Sequence, residues 1–159
     1  MMEDITDYNS LKCELERTNK MLKTIIDAVP SLIWMKDAQG KYLFANKSFE
    51  EFNAFMDDTI IGKTDAEIWP AAQAKAVMDD DVRAMECNYP LEIQETILHP
   101  TLGSQWYCTT KIGVCDKSDK ILGSVGVSYN ITKQVEQDKI LADAIDTLTA
   151  SLNGNVYVK

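Results

Sequence analysis

The sequence predicts an α+β fold: a five-stranded antiparallel sheet with helices on one face, flanked by N- and C-terminal helices of coiled-coil type. Three observations predict it. Two short apolar runs near the front of the chain, Leu32 to Met35 and Tyr42 to Ala45, flank the Gly-containing link "KDAQGK". A helical period of 3.6 fills the middle of the chain. After Pro90 the period falls to two and persists through three segments separated by turn-sized links. Strands joined by such links pair antiparallel, and helices grouped between strands pack as one layer.

The first element is a helix. Tyr8, Leu11, Leu15, Thr18, Leu22, Ile25 and Val29 are spaced 3, 4, 3, 4, 3, 4, the seam of a coiled coil. Leu11, Leu15, Leu22 and Ile25 are its dimer-forming residues; an amphipathic helix lying on its own domain is the plainer reading. Pro30 ends it. The hairpin over 32–45 follows. "SFEE" pairs Ser48 with Glu51 in a capping-box pattern, and "TDAE" pairs Thr64 with Glu67, so each starts a short helix. Pro70 opens the longest internal helix, whose apolar stripe is Ala74, Val77, Met78, Val82 and Met85. "LEIQETILHP", "SQWYCTTKIGVC" and "KILGSVGVSYNI" are the last three strands. A second helix with a seam at Leu141, Ile145, Leu148 and Leu152 closes the chain, before "NGNVYVK", which reads as turn and strand.

The organisation is therefore an N-terminal helix over 1–29, a domain over 30–132 and a C-terminal helix over 133–152. Shifting the chain by 123 residues lays Ile25, Val29, Ile33, Trp34, Met35 and Lys36 on Leu148, Leu152, Val156, Tyr157, Val158 and Lys159. Residues 153–159 thus read as the start of a second copy of the domain, in a longer modular protein.

Composition narrows the function. A formal net charge of -9 argues against nucleic acid, which needs clustered Lys and Arg. No apolar run reaches the roughly 20 residues of a membrane span, and the first ten residues lack the features of a secretory signal. Cys13, Cys87, Cys108 and Cys115 have no metal-ligand spacing and read as small apolar residues in a reducing cytoplasm. His99 is the sole histidine and reads as a surface or turn residue. "DDD" at 79–81 reads as a solvated helix face, because successive helical residues diverge. No P-loop, GxSxG or HExxH pattern appears, so the domain is expected to be non-catalytic and to hold no metal.

What remains is a hollow between sheet and helices. Ile33, Met35, Ile93, Trp106 and Val125 from the strands, with Met78, Val82 and Met85 from the long helix, are its candidate lining. A filled core, a small organic ligand and a non-covalent flavin all fit such a lining. Haem is disfavoured, since position 99 sits poorly for an axial ligand.

"DAQGKYLFANKSF", "IIGKTDAEIWP", the strand start at Trp106 and "KILGSVGVSYNIT" come in an order that resembles a PAS domain over about residues 24 to 133. That family usually ends its last strand with Asp-Ile-Thr; here the triplet is Asn130, Ile131, Thr132. The resemblance implies a PAS-like fold and a sensory module of a cytoplasmic, multi-domain bacterial protein. The parent would be a two-component histidine kinase, with a diguanylate cyclase as the alternative output. The module would form a homodimer through its terminal helices and pass state to an output domain in the same chain. Asn130, Ile131 and Thr132 would be the relay, a core strand spliced into a helix without a loop. Asn130 serves equally as a plain helix cap. Two other readings stand: a ligand-free dimerisation module, and a small α+β enzyme, which the lone His and scattered acids disfavour.

Overall fold

The computed structural model describes residues 2–54, 59–87 and 89–154, with side chains between 7 and 152. Its elements are α1 (Met2–Asp27), β1 (Leu32–Asp37), β2 (Tyr42–Ala45), α2 (Lys47–Phe52), α3 (Asp65–Ile68), α4 (Ala71–Glu86), β3 (Leu91–His99), β4 (Gly103–Cys115), β5 (Ile121–Asn130) and α5 (Thr132–Gly154). The strands form one antiparallel sheet in the order β2-β1-β5-β4-β3, as the hairpin-sized links require. The first and last strands meet at its centre, so the two ends of the domain share one layer.

Strand alternation sorts the sheet into two faces. Leu32, Trp34 and Lys36 of β1 register against Ser128, Gly126 and Ser124 of β5. Those in turn register against Thr109, Lys111 and Gly113 of β4. This inner face meets α2, α3 and α4 over a core of Leu32, Trp34, Tyr42, Ala45, Phe49, Phe52, Ile60, Ile97 and Tyr107.

The helix starts are set locally. The Glu67 carboxylate accepts the Thr64 N–H at 2.8 Å, as its spacing predicts. α2 is capped otherwise than expected. Asn46, not Ser48, is its N-cap, and Asn46 Oδ1 accepts the Phe49 N–H at 3.1 Å. The same oxygen accepts Ile33 N–H at 3.0 Å, while Nδ2 donates to Ser31 O at 2.9 Å, so one buried side chain knots β1 to α2.

α4 turns Ala74 and Val77 of the predicted stripe inward, but not Met78 and Val82. Ala74, Asp81 and Ala84 are buried, whereas Met78 is 42% and Val82 49% exposed. The period is right and the phase is wrong by about one residue. Asp81 takes the inward place of Val82 because two lysines on the sheet neutralise it. Gly113 lets the helix approach: a Cβ there would sit 2.8 Å from Ala84 O. Gly123, with φ +153°, is tighter still, since its Cβ would fall on Lys36 O.

Leu11, Leu15, Leu22 and Ile25 lie exposed along α1, as do Leu141, Ile145, Leu148 and Leu152 along α5. α5 starts at Thr132 and runs through Asn153 and Gly154, past the expected break; residues 155–159, where a second copy was expected to continue, lie outside the described residues. Among the described residues no helix is long and apolar enough to cross a membrane.

Candidate functional site

The cavity lies between the inner face and the helices, and its lining is not the predicted one. Trp34, Tyr42, Phe49, Phe52 and Trp69 form aromatic walls; Leu32, Gln73, Val77, Glu95, Ile97, Lys111 and Ser128 complete it. The rings interlock, with centroids 5.1 Å apart for Trp34 and Phe49 and 5.6 Å for Tyr42 and Phe49. A water molecule's centre can move through only about 30 Å³, room for one or two waters.

The eight residues expected to line it lie elsewhere. Ile33, Met35 and Val125 face the other side of the sheet, where they line an apolar groove with Ile26 and Phe44. Trp106 points to that outer side too and is 39% exposed, whereas the adjacent Tyr107 is buried in the core. Met78, Val82 and Met85 lie in a surface hollow against the β1–β2 turn at Ala38, Gln39 and Gly40. Ile93 pairs with Thr109 in the inner face but falls outside the cavity lining. The error has a simple origin. On β1 the sequence offers Ile33 and Met35 on one face and Leu32, Trp34 and Lys36 on the other. The lysine makes the second set look solvent-facing.

That lysine is fully buried, and so is its neighbourhood. Lys36 Nζ lies 2.5 Å from Asp65 Oδ2 and 2.6 Å from Asp81 Oδ2. Lys111 Nζ lies 2.8 Å from Asp81 Oδ1 and donates to Val77 O at 2.9 Å. Tyr42 OH donates to Asp65 Oδ1 at 2.8 Å, beneath the Lys36 ammonium 4.6 Å from its ring. Burial, reinforced by the Asp65 charge, pushes the Tyr42 phenol well above its ordinary pKa. Two cations and two carboxylates cancel, so the cluster is neutral as a whole. It ties α3 and α4 to β1 and β4. The reading of 79–81 as a solvated face therefore fails at Asp81 alone.

His99 is buried rather than exposed. Its Nε2 donates to Phe52 O at 2.7 Å, and its Nδ1 accepts the N–H groups of Thr101 at 3.2 Å and Leu102 at 3.1 Å. These partners assign the proton to Nε2. It clamps the end of α2 to the β3–β4 turn. Of the cysteines, only Cys108 is buried.

The Asn130–Ile131–Thr132 junction is short and fully bonded. Ile131 N–H donates to Trp106 O at 2.8 Å, and Thr132 Oγ1 accepts the Trp106 N–H at 2.8 Å. Asn130 Oδ1 accepts the Thr132 N–H at 2.9 Å, and its Nδ2 donates to Gln105 Oε1 at 3.1 Å. Ile131 O takes the first helical bond, from Val135 N–H at 2.9 Å. The first turn of α5 is thus seated on β4 with no intervening loop.

A family model described as PAS fold matches residues 26–136. The chain is 26% identical over 129 residues to "Probable histidine kinase 1" of Oryza sativa subsp. indica, covering 81% of this chain and 13% of that protein. It is 23% identical over 161 residues to "Methanogenesis regulatory histidine kinase FilI" of Methanothrix harundinacea, covering 99% of this chain and 18% of that protein. The chain thus spans less than a fifth of the length of either curated relative. Among solved structures it resembles VqmA of Vibrio cholera in a ligand–DNA complex, with a TM-score of 0.61 and 22% identity over 69% of this chain and 50% of that one.

Proposed function

Since this chain belongs to the PAS-fold family, we propose that it is the ligand-sensing module of a longer, cytoplasmic signalling protein, a histidine kinase by its curated relatives. The module itself is non-catalytic. State passes from the inner cavity through the sheet into α5 and on to an output domain in the same chain. The observation that carries the reading is the junction: the backbone and side chain of residues 131 and 132 both bond to Trp106, so the helix follows β4. Packed elements shift between discrete arrangements, and a stiff splice transmits such a shift where a loop would absorb it.

The aromatic cavity supports a small-molecule stimulus, as does the ligand in the VqmA complex. That complex also holds DNA, but a net charge of -9 favours no nucleic-acid contact by this module. The exposed seams of α1 and α5 support a homodimer.

Two experiments test the reading. Mass spectrometry of gently purified protein should show added mass from a bound small molecule; bare chain from every source favours a ligand-free dimerisation module. In the full-length protein, Asn130→Asp should change the output while stability stays within about 1 kcal/mol, since Asp keeps the cap. An unchanged output reduces the triplet to a cap.

A further inference from the structure

We propose that the inner cavity selects an uncharged planar molecule bearing a carbonyl oxygen, and that Lys111 is the residue that reads this oxygen. The inference rests on the ligand-sensing reading and names the chemistry of its ligand. Its first support is shape: the walls are aromatic, which suits a flat ring.

The second is polarity. Two donors at the cavity have N–H groups without an aligned partner. Trp34 Nε1–H is buried and has no hydrogen-bond partner among the described residues. Lys111 has three N–H groups but makes one aligned hydrogen bond, to Val77 O. Its 2.8 Å approach to Asp81 Oδ1 is an ion pair off the hydrogen-bond axis, and that oxygen is left without an aligned donor. Of the lining acceptors, Glu95 Oε1 takes the Thr109 hydroxyl at 2.8 Å, and Thr109 contacts Ser128 Oγ. An incoming carbonyl oxygen finds two buried donors to satisfy, Trp34 Nε1–H and Lys111.

The third is charge. Lys36 and Lys111 are matched by Asp65 and Asp81, and Glu95 adds a further carboxylate to the lining, so the site has no positive charge to spare. A neutral ligand keeps that balance, whereas an anion would bring an uncompensated buried charge. A carbonyl oxygen meeting Lys111 competes with Asp81, which sits on α4, so occupancy loosens the tie between α4 and β4. Entry of a ring requires the half-buried Trp69 and Gln73 to swing outward, because the void is only large enough for water.

The test uses three probes of similar size: acetophenone, ethylbenzene and benzoate. The Trp34 indole N–H resonance reports binding in the cavity. The wild-type chain should bind acetophenone about tenfold or more tightly than ethylbenzene, the worth of a hydrogen bond to a charged donor. Benzoate should bind more weakly than acetophenone. Lys111→Met should erase the preference for acetophenone over ethylbenzene. Asp81→Asn, which removes the negative charge beside Lys111, should shift preference toward benzoate. If wild-type protein binds ethylbenzene as well as acetophenone, or prefers benzoate, the ligand class is wrong although the cavity reading stands. If no probe moves the Trp34 resonance, the cavity reading itself falls. The wild-type comparison decides even where a variant fails to fold.

Discussion

The backbone N–H of Trp106 donates to the hydroxyl of Thr132 across 2.8 Å, joining the edge of a sheet strand to the first residue of the outgoing helix. The bond spans 26 positions of sequence and fixes where α5 leaves the domain. Thr132→Val keeps the shape and removes the acceptor. It should cost about 1 kcal/mol. Hydrogen exchange should speed up at Trp106 N–H and across the first turn of α5, while the amides at the centre of β1 stay protected. Unchanged exchange at Trp106 would mean that the backbone bond from Ile131 seats the helix unaided.

The buried cluster makes an asymmetric prediction. Asp81→Ala leaves Lys111 and half of Lys36's pairing uncompensated, and should lower stability by roughly 3–5 kcal/mol in urea titration. Combining it with Lys111→Met removes the stranded charge, so the double variant should be more stable than Asp81→Ala alone. Additive losses would show that the pair is not coupled.

Tyr42 sets the alkaline limit. Its folded pKa is raised, first by burial and then by the Asp65 charge, so the folded state holds a proton that the unfolded chain releases near pH ~10. Its contribution is complete below that pH and is lost as pH rises toward the folded value. Tyr42→Phe strips Asp65 of its 2.8 Å donor and should cost about 1–3 kcal/mol at neutral pH. The variant should also lose stability less steeply than wild type above pH ~10. Parallel curves would place the alkaline transition in other groups.

Leu15 and Leu22 are exposed on α1 at a seven-residue spacing. Replacing both with Glu should leave the thermal transition of the sheet domain in place and give a monomer by sedimentation. A double variant that still sediments as a dimer would move the interface to α5 or to the apolar outer groove around Ile33 and Val125.

The order and kind of elements were legible because they rest on short-range periods. The switch from 3.6 to 2 after Pro90, the Thr64–Glu67 box and the hairpin-sized links each act within a few residues. The cavity lining was not legible. Strand alternation divides β1 into two sets, but both contain apolar residues, and the set carrying Lys36 is the inner one. On α4 the same ambiguity sets Asp81 against Val82. The capping of α2 was missed for a related reason: Asn46 is chosen by its bonds to β1 as well as by its place before the helix.

By itself the sequence determined that this is a five-stranded α+β domain with helical extensions, because hydrophobic period and turn residues act locally along the chain. Only the tertiary structure decided which faces close on one another. A buried charge is tolerable only beside its partner, and the carboxylates that neutralise Lys36 lie 29 and 45 residues away. No local pattern contains that distance.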